Sequence, residues 1–201
     1  MSRKGQAKTL TEQEFKIVEA VILTKTNAKR NRAILYMAFG LGLRACEIRG
    51  LTLKDVLQDD MITIKTDVKL KRTKGDEPRW VFVGNKKIRD VLQDHLKDMK
   101  FYLSRKNIPI SPDLPLFISQ KGGFFRSDKM VWLFAKFFKN AGIHDAKSHS
   151  GRVTYITNRI NKGIDLASIS SLVGHSSIEM TMHYYRKDAN RLRKISEMDI
   201  F

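Results

Sequence analysis

Apolar residues recur at helical spacing over most of this chain. Phe15, Val18, Ile22 and Leu23 share a face behind the capping-box pair Thr11 and Glu14, predicting a first helix over about residues 12–24. Asn27 opens a second, with Ile34, Leu35, Met37, Ala38 and Leu41 on its apolar side, ending near Gly40-Leu41-Gly42, and a short helical turn through Glu47 follows. The pattern then changes period. Met61-Ile62-Thr63-Ile64-Lys65 and Arg79-Trp80-Val81-Phe82-Val83 read as strands, with Lys74-Gly75-Asp76-Glu77-Pro78 as a turn. Asn85 caps a long helix to about Tyr102, the proline-rich stretch from Ile108 to Leu116 is loop, and Ser127 starts a helix with Val131, Phe134, Ala135 and Phe138 as its buried stripe. Three short helices close the chain, at about 149–161, 166–173 and 178–188, with Ser148, Asp165 and Ser177 as caps. The expected fold is mainly α with one small antiparallel three-stranded β-sheet (α+β). Residues 1–10 read as a flexible basic arm and residues 11–201 as one domain.

Composition narrows the class. With 201 residues and 42% hydrophobic side chains the chain can bury a core, which excludes a disordered chain. The single Cys46 cannot make an internal bridge and reads as a small buried hydrophobe. No apolar run approaches the roughly 18 residues of a membrane span, and a reducing, cytoplasmic setting is expected. Charge is the strongest signal: 38 Lys and Arg against 21 Asp and Glu give +17. It is not a tail, because 22 basic and 13 acidic side chains fall in residues 1–100 and 16 and 8 in the rest. Positive charge spread over a folded chain repels itself, so a polyanion is the expected partner, nucleic acid first and an anionic membrane surface second.

Three stretches carry polar residues that periodicity does not explain. Arg44 and Glu47 stand one helical turn apart, a spacing that suits a surface salt bridge or a guanidinium held by a carboxylate with its other donors aimed at a phosphate. His149 and Arg152 stand one turn apart where a helix begins and backbone N–H groups favour anions. His175 follows Gly174, and the adjacent Tyr184 and Tyr185 point about 100° apart on a helix, so at most one faces what His175 faces. His95, His144, His149, His175 and His183 show no metal-ligand spacing.

The order R-x-x-E, a Lys at a hairpin turn, H-x-x-R, G-H, and a Tyr nine residues after that His resembles the catalytic domain of the tyrosine recombinase (phage integrase) family, over about residues 11–190. The resemblance implies that fold; most members also carry an N-terminal core-binding domain, and with only about ten residues before the first helix here, a minimal single-domain recombinase and a piece cut from a longer chain are both expected readings. Arg44 is similar to the first active-site arginine with Glu47 its supporting acid, Lys74 to the mobile hairpin lysine, His149 and Arg152 to the H-x-x-R pair, His175 to the G-H histidine, and Tyr184 to the nucleophile. Lys71 and Arg72 are alternatives to Lys74, Tyr185 is the reserve nucleophile, and Lys69, Lys71 and Arg72 are expected at DNA. Gly151 and Val153 depart from the family, which most often has Leu or Phe before the second arginine and a basic residue after it.

The implied chemistry is transesterification at a DNA phosphodiester through a 3′-phosphotyrosyl link. Arg44 and Arg152 would hold the non-bridging oxygens, His175 would donate a further hydrogen bond, His149 would take the tyrosine proton and Lys74 would protonate the departing 5′ oxygen. No metal and no other cofactor is expected. The expected partner is double-stranded DNA, with a tetramer on synapsed DNA, a weakly associated or monomeric protein without it, and a prokaryotic or viral, nucleoid-associated setting. The segment from Leu192 to Phe201 could dock on a neighbour or on its own domain. Two alternatives stand beside this reading: relaxation of DNA as by a type IB topoisomerase, and a catalytically silent DNA-binding regulator.

Overall fold

The computed structural model describes residues 7–70, 78–185 and 197. Its first helix, α1 (Glu12–Leu23), starts as the sequence predicts: the Thr11 hydroxyl accepts from the Glu14 N–H at 3.1 Å and the Glu14 carboxylate accepts from the Thr11 N–H at 2.9 Å. Leu10, the last residue of the expected arm, is buried, and its N–H donates to the Thr154 hydroxyl. Residues 1–6 lie outside the described residues.

The next helix, α2 (Ala28–Gly40), is buried continuously from Ala33 to Phe39, and a helix apolar on all sides belongs in the middle of a fold. It packs against α1, against the short α3 (Ala45–Gly50), and against two later helices, α5 (Lys86–Arg105) and α7 (Ser150–Asn161). Gly151 explains how α7 gets so close: a Cβ there would lie 2.8 Å from the Cβ of Ala38. A larger residue at this point would push the two helices apart. An unpredicted single turn, α4 (Leu53–Val56), is nucleated by Asp55, whose carboxylate accepts from the N–H and hydroxyl of Thr52.

Among the described residues the sheet has two strands, not three: β1 (Asp67–Leu70) pairs antiparallel with β2 (Arg79–Phe82). Residues 61–65 are not a strand, and Ile64 makes only an isolated bridge to Leu57. Asp60 overrides the alternation there. Its side chain accepts from the N–H groups of Ile62 and Thr63 and from the Thr63 hydroxyl, curling the backbone into a turn with Met61 at positive φ. Of the expected turn at 74–78 only Pro78 is among the described residues.

Asn85 caps α5, accepting from the Ile88 N–H at 3.2 Å. The helix α6 (Ser127–Asn140) buries Met130, Leu133, Phe134, Phe137 and Phe138. Val131 and Ala135, expected in that stripe, are exposed, because Met130, Leu133 and Phe137 set the phase. At α7 the N-cap position is His149 rather than Ser148, and the hydroxyl that meets the preceding backbone is that of Ser150, accepting from the Lys147 N–H. Then come α8 (Leu166–Val173), capped by the Asp165 carboxylate, and α9 (Ile178–Tyr185). Two cores result. A large one joins α1 to α6, and a small one, Tyr155, Ile156, Ile160, Ile169 and Val173, joins α7 to α9. No described helix is long and apolar enough to cross a membrane.

Candidate active site

The site is organised around one carboxylate. Glu47 is 8% exposed on α3, so its pairing with Arg44 is not a surface salt bridge. Its Oε2 accepts from the Arg44 N–H at 2.6 Å and from Arg79 Nη2 at 3.0 Å, and its Oε1 accepts from Arg79 Nε at 3.3 Å and Arg44 Nη1 at 3.5 Å. Arg152 Nη1 stands 4.0 Å away. Three guanidinium groups therefore surround one carboxylate, a concentration of positive charge that favours an anionic ligand.

Arg152 is 1% exposed at the start of α7. Its Nη1 donates to the Gly42 carbonyl at 3.0 Å and its Nη2 to the Val173 carbonyl, while its buried Nε has no hydrogen-bond partner among the described residues. Burial, and then the Arg44 charge, lower its pKa to about 10 against the opposing pull of Glu47, so it remains a cation at neutral pH. Arg44 is more accessible.

His149, exposed at the α7 N-cap, is held below the usual histidine range by desolvation, then by Arg152 and Arg44, with Glu47 acting oppositely. For His175 burial comes first, followed by Arg152, Arg44, His149 and Arg79, and the pKa falls to about 4. The ring is neutral at pH 7. Its Nδ1 lies 2.8 Å from the Thr181 hydroxyl on α9, and with that hydroxyl donating, the imidazole proton sits on Nε2, where it can be donated to a ligand. Tyr184 stacks on His175 with ring centroids 6.3 Å apart and 12° between planes. Burial raises the Tyr184 pKa, and Arg152 and Arg44 oppose that rise.

Six of the residues expected from sequence, Arg44, Glu47, His149, Arg152, His175 and Tyr184, thus meet in one place although they span 140 positions of the chain. Tyr184 is the tyrosine that stacks on His175, while both Tyr184 and Tyr185 pack partly against the small core. Lys69 sits exposed on β1 with its ammonium 5.8 Å from the Trp80 ring centre. Lys71, Arg72 and Lys74 lie outside the described residues, as does the segment 192–201 apart from Glu197. Cys46 is exposed, not buried: it turns outward between the two residues of the Arg44–Glu47 pair.

Sequence reasoning missed Arg79. Strand alternation could have found it, because a strand whose Val81 and Val83 face the core also turns residue 79 inward, and a cation there needs a partner.

Residues 8–191 match the model of the phage integrase family. The chain belongs to that family. Two phage integrase relatives are tyrosine recombinases: XerC of Thermodesulfovibrio yellowstonii, 29% identical over 196 residues, and XerA of Pyrococcus furiosus, 30% identical over 197 residues. Each alignment covers 96% of this chain and 62% of the relative, so the chain spans less than two thirds of the length of either. The same fold is found in the crystal structure of the XerH site-specific recombinase bound to its palindromic difH substrate after cleavage. There the TM-score is 0.71 at 21% identity, over 98% of this chain and 58% of XerH. The family match encloses every residue of the Glu47 site, from Arg44 to Tyr184.

Proposed function

We propose that this chain carries the strand-cutting and rejoining chemistry of a site-specific tyrosine recombinase, acting on double-stranded DNA in the cytoplasm of a prokaryotic cell. The observation that carries the reading is the stacking of Tyr184 on His175 beside a carboxylate ringed by Arg44, Arg79 and Arg152. The Tyr184 oxygen attacks phosphorus, the bond from phosphorus to the 5′ oxygen breaks, and the DNA is left with a 3′-phosphotyrosyl link and a free 5′-hydroxyl. Making the phenolate of an ordinary tyrosine at pH 7 costs about 4 kcal/mol. Arg44 and Arg152 reduce that cost and hold the non-bridging oxygens, with the uncommitted Arg152 Nε as one donor. Neutral His175 donates from Nε2. His149, kept unprotonated, accepts the tyrosine proton. Lys74, with Lys71 or Arg72 as the alternative, gives a proton to the departing oxygen. The ester conserves bond energy, so a second 5′-hydroxyl can attack it, expelling Tyr184 and joining new strands on a synapsed tetramer.

The test is an adduct trap on a denaturing gel. Labelled, nicked duplexes tiled across the DNA beside the native gene are incubated with wild type, Tyr184→Phe and Tyr185→Phe. A covalent adduct with wild type and Tyr185→Phe, absent with Tyr184→Phe, is expected. An adduct that survives in Tyr184→Phe overturns the nucleophile. A ladder of relaxed plasmid without recombinant products would make the protein a swivelling topoisomerase.

A further inference from the structure

Arg79 is 8% exposed, and its guanidinium is taken up by groups of the protein. Its guanidinium forks onto both oxygens of Glu47, and its Nη1 donates to the Leu172 carbonyl at the end of α8. Both side chains of the ion pair are nearly excluded from water. A pair so placed is weak evidence for net stability, because desolvating two charges offsets most of their attraction, but it strongly specifies geometry. The next residues along α8 are Val173, whose carbonyl holds Arg152, then Gly174 and His175. Gly174 has φ +63, and a Cβ there would stand 2.5 Å from Arg79 Cδ, so the turn before His175 is wrapped around the arginine stem. On its other side Arg79 pairs in register with Leu70 of β1.

We propose that Arg79 is a positioning residue: by clamping the Glu47 carboxylate to the Leu172–His175 turn, it fixes Arg44, Arg152 and His175 relative to one another. The proposal rests on the reading that this site cuts DNA. Lysine cannot substitute, since a single ammonium lacks the planar fork that reaches two carboxylate oxygens and a carbonyl together. Arg79 also satisfies the Glu47 charge, so that Arg152 is not drawn wholly onto that carboxylate.

The experiment compares wild type, Arg79→Lys and Arg79→Met in three measurements: single-turnover adduct formation at saturating nicked duplex, DNA affinity by gel shift, and the His175 titration followed by NMR in the free protein. A misplaced catalytic group costs on the order of 100-fold, so the expected result is an adduct rate lower by about that factor in Arg79→Met, with lysine restoring less than a tenth of the wild-type rate. Affinity should change less than about threefold, because phosphate contacts elsewhere supply it. The groups around the His175 ring are Arg152 and His149 of α7, Arg44 beside α3, Arg79 of β2, and Thr181 and Tyr184 of α9. Loss of the Arg79 cation should move the titration of the folded-state His175 resonance upward from about 4, whereas unfolded protein would add a separate resonance titrating near 6.5. Arg79→Met cleaving at the wild-type rate overturns the proposal, as does a rate loss that only tracks the folded fraction while the His175 titration stays put. Should Arg79→Met fail to fold, Arg79→Lys carries the adduct-rate and affinity measurements and Arg79→Gln the His175 titration. Wild type forming no adduct on any duplex refutes the DNA-cutting reading, and the NMR titration then decides the positioning claim by itself.

Discussion

The two cores of this protein are held together by different forces. The large one is built from side-chain packing: α2 is surrounded by α1, α3, α5 and α7, and Phe39, Phe134, Phe137 and Phe138 meet edge to face or offset within it. The small one has five buried residues under α7, α8 and α9, and the end of α8 is tied to the rest of the molecule by guanidinium groups, Arg152 on Val173 and Arg79 on Leu172. The nucleophile candidate and its histidine stand on the side held by charge. Dispersion and burial hold elements together without fixing their fine geometry, whereas directional bonds from a planar cation fix geometry at little net gain in stability. A scaffold and a reacting centre need these two qualities separately.

One pair of variants should separate the cores most sharply. Phe134→Ala, in the large core, should cost about 3–5 kcal/mol by urea unfolding, lowering hydrogen-exchange protection throughout the chain. Arg152→Met leaves the Gly42 and Val173 carbonyls without their donor and should cost about 3 kcal/mol, but locally: amides of α8 and α9 should exchange faster while those of α2 keep their protection. Uniform loss of protection in both variants would show that the two cores unfold as one unit.

A second prediction concerns His95, a buried polar group beside the large core. It is 3% exposed, with Nε2 2.8 Å from the Leu116 carbonyl, and burial lowers its pKa to about 4. The folded state therefore keeps the ring neutral while the unfolded chain takes up a proton near pH 6.5. Stability is complete above that pH and should fall by roughly 3 kcal/mol as the pH drops from 6.5 to 4, then level off with respect to this group. Urea midpoints at intervals across that range, compared with His95→Gln, measure it. A variant as acid-sensitive as wild type would place the acid lability among the cations of the other core. The smallest effect is expected at Cys46, where Ser should change stability by less than about 0.5 kcal/mol because the side chain is exposed.

Much of this was legible in the sequence because it is local. The Thr11–Glu14 box, the Asn85 and Asp165 caps and the helical spacing behind them act within a few residues, and each helix of the expected set is present. The order along the chain also picked out six residues that the structure brings together, Arg44, Glu47, His149, Arg152, His175 and Tyr184. What escaped reading was set by a local side-chain bond, by helix phase and, for Arg79, by contacts between distant segments. Asp60 turned an alternating stretch into a loop, a one-residue change of phase moved Val131 and Ala135 to the surface, and Arg79 looked like an ordinary basic residue at a hairpin until its partners 32 and 93 positions away came into view. The spacing of Arg44 and Glu47 left a surface pair and a held guanidinium both open, because nothing local to Glu47 announces that three arginines converge there.

The outward turn of Cys46 has a practical side. The chain has a single thiol, and it stands in solvent one residue from Glu47 and two from Arg44, outside the packing of either core. A maleimide dye attached there needs no cysteine to be removed elsewhere, and its brightness would follow the arrival of a polyanion at the arginine cluster in real time. The molecule comes with its own spectroscopic address.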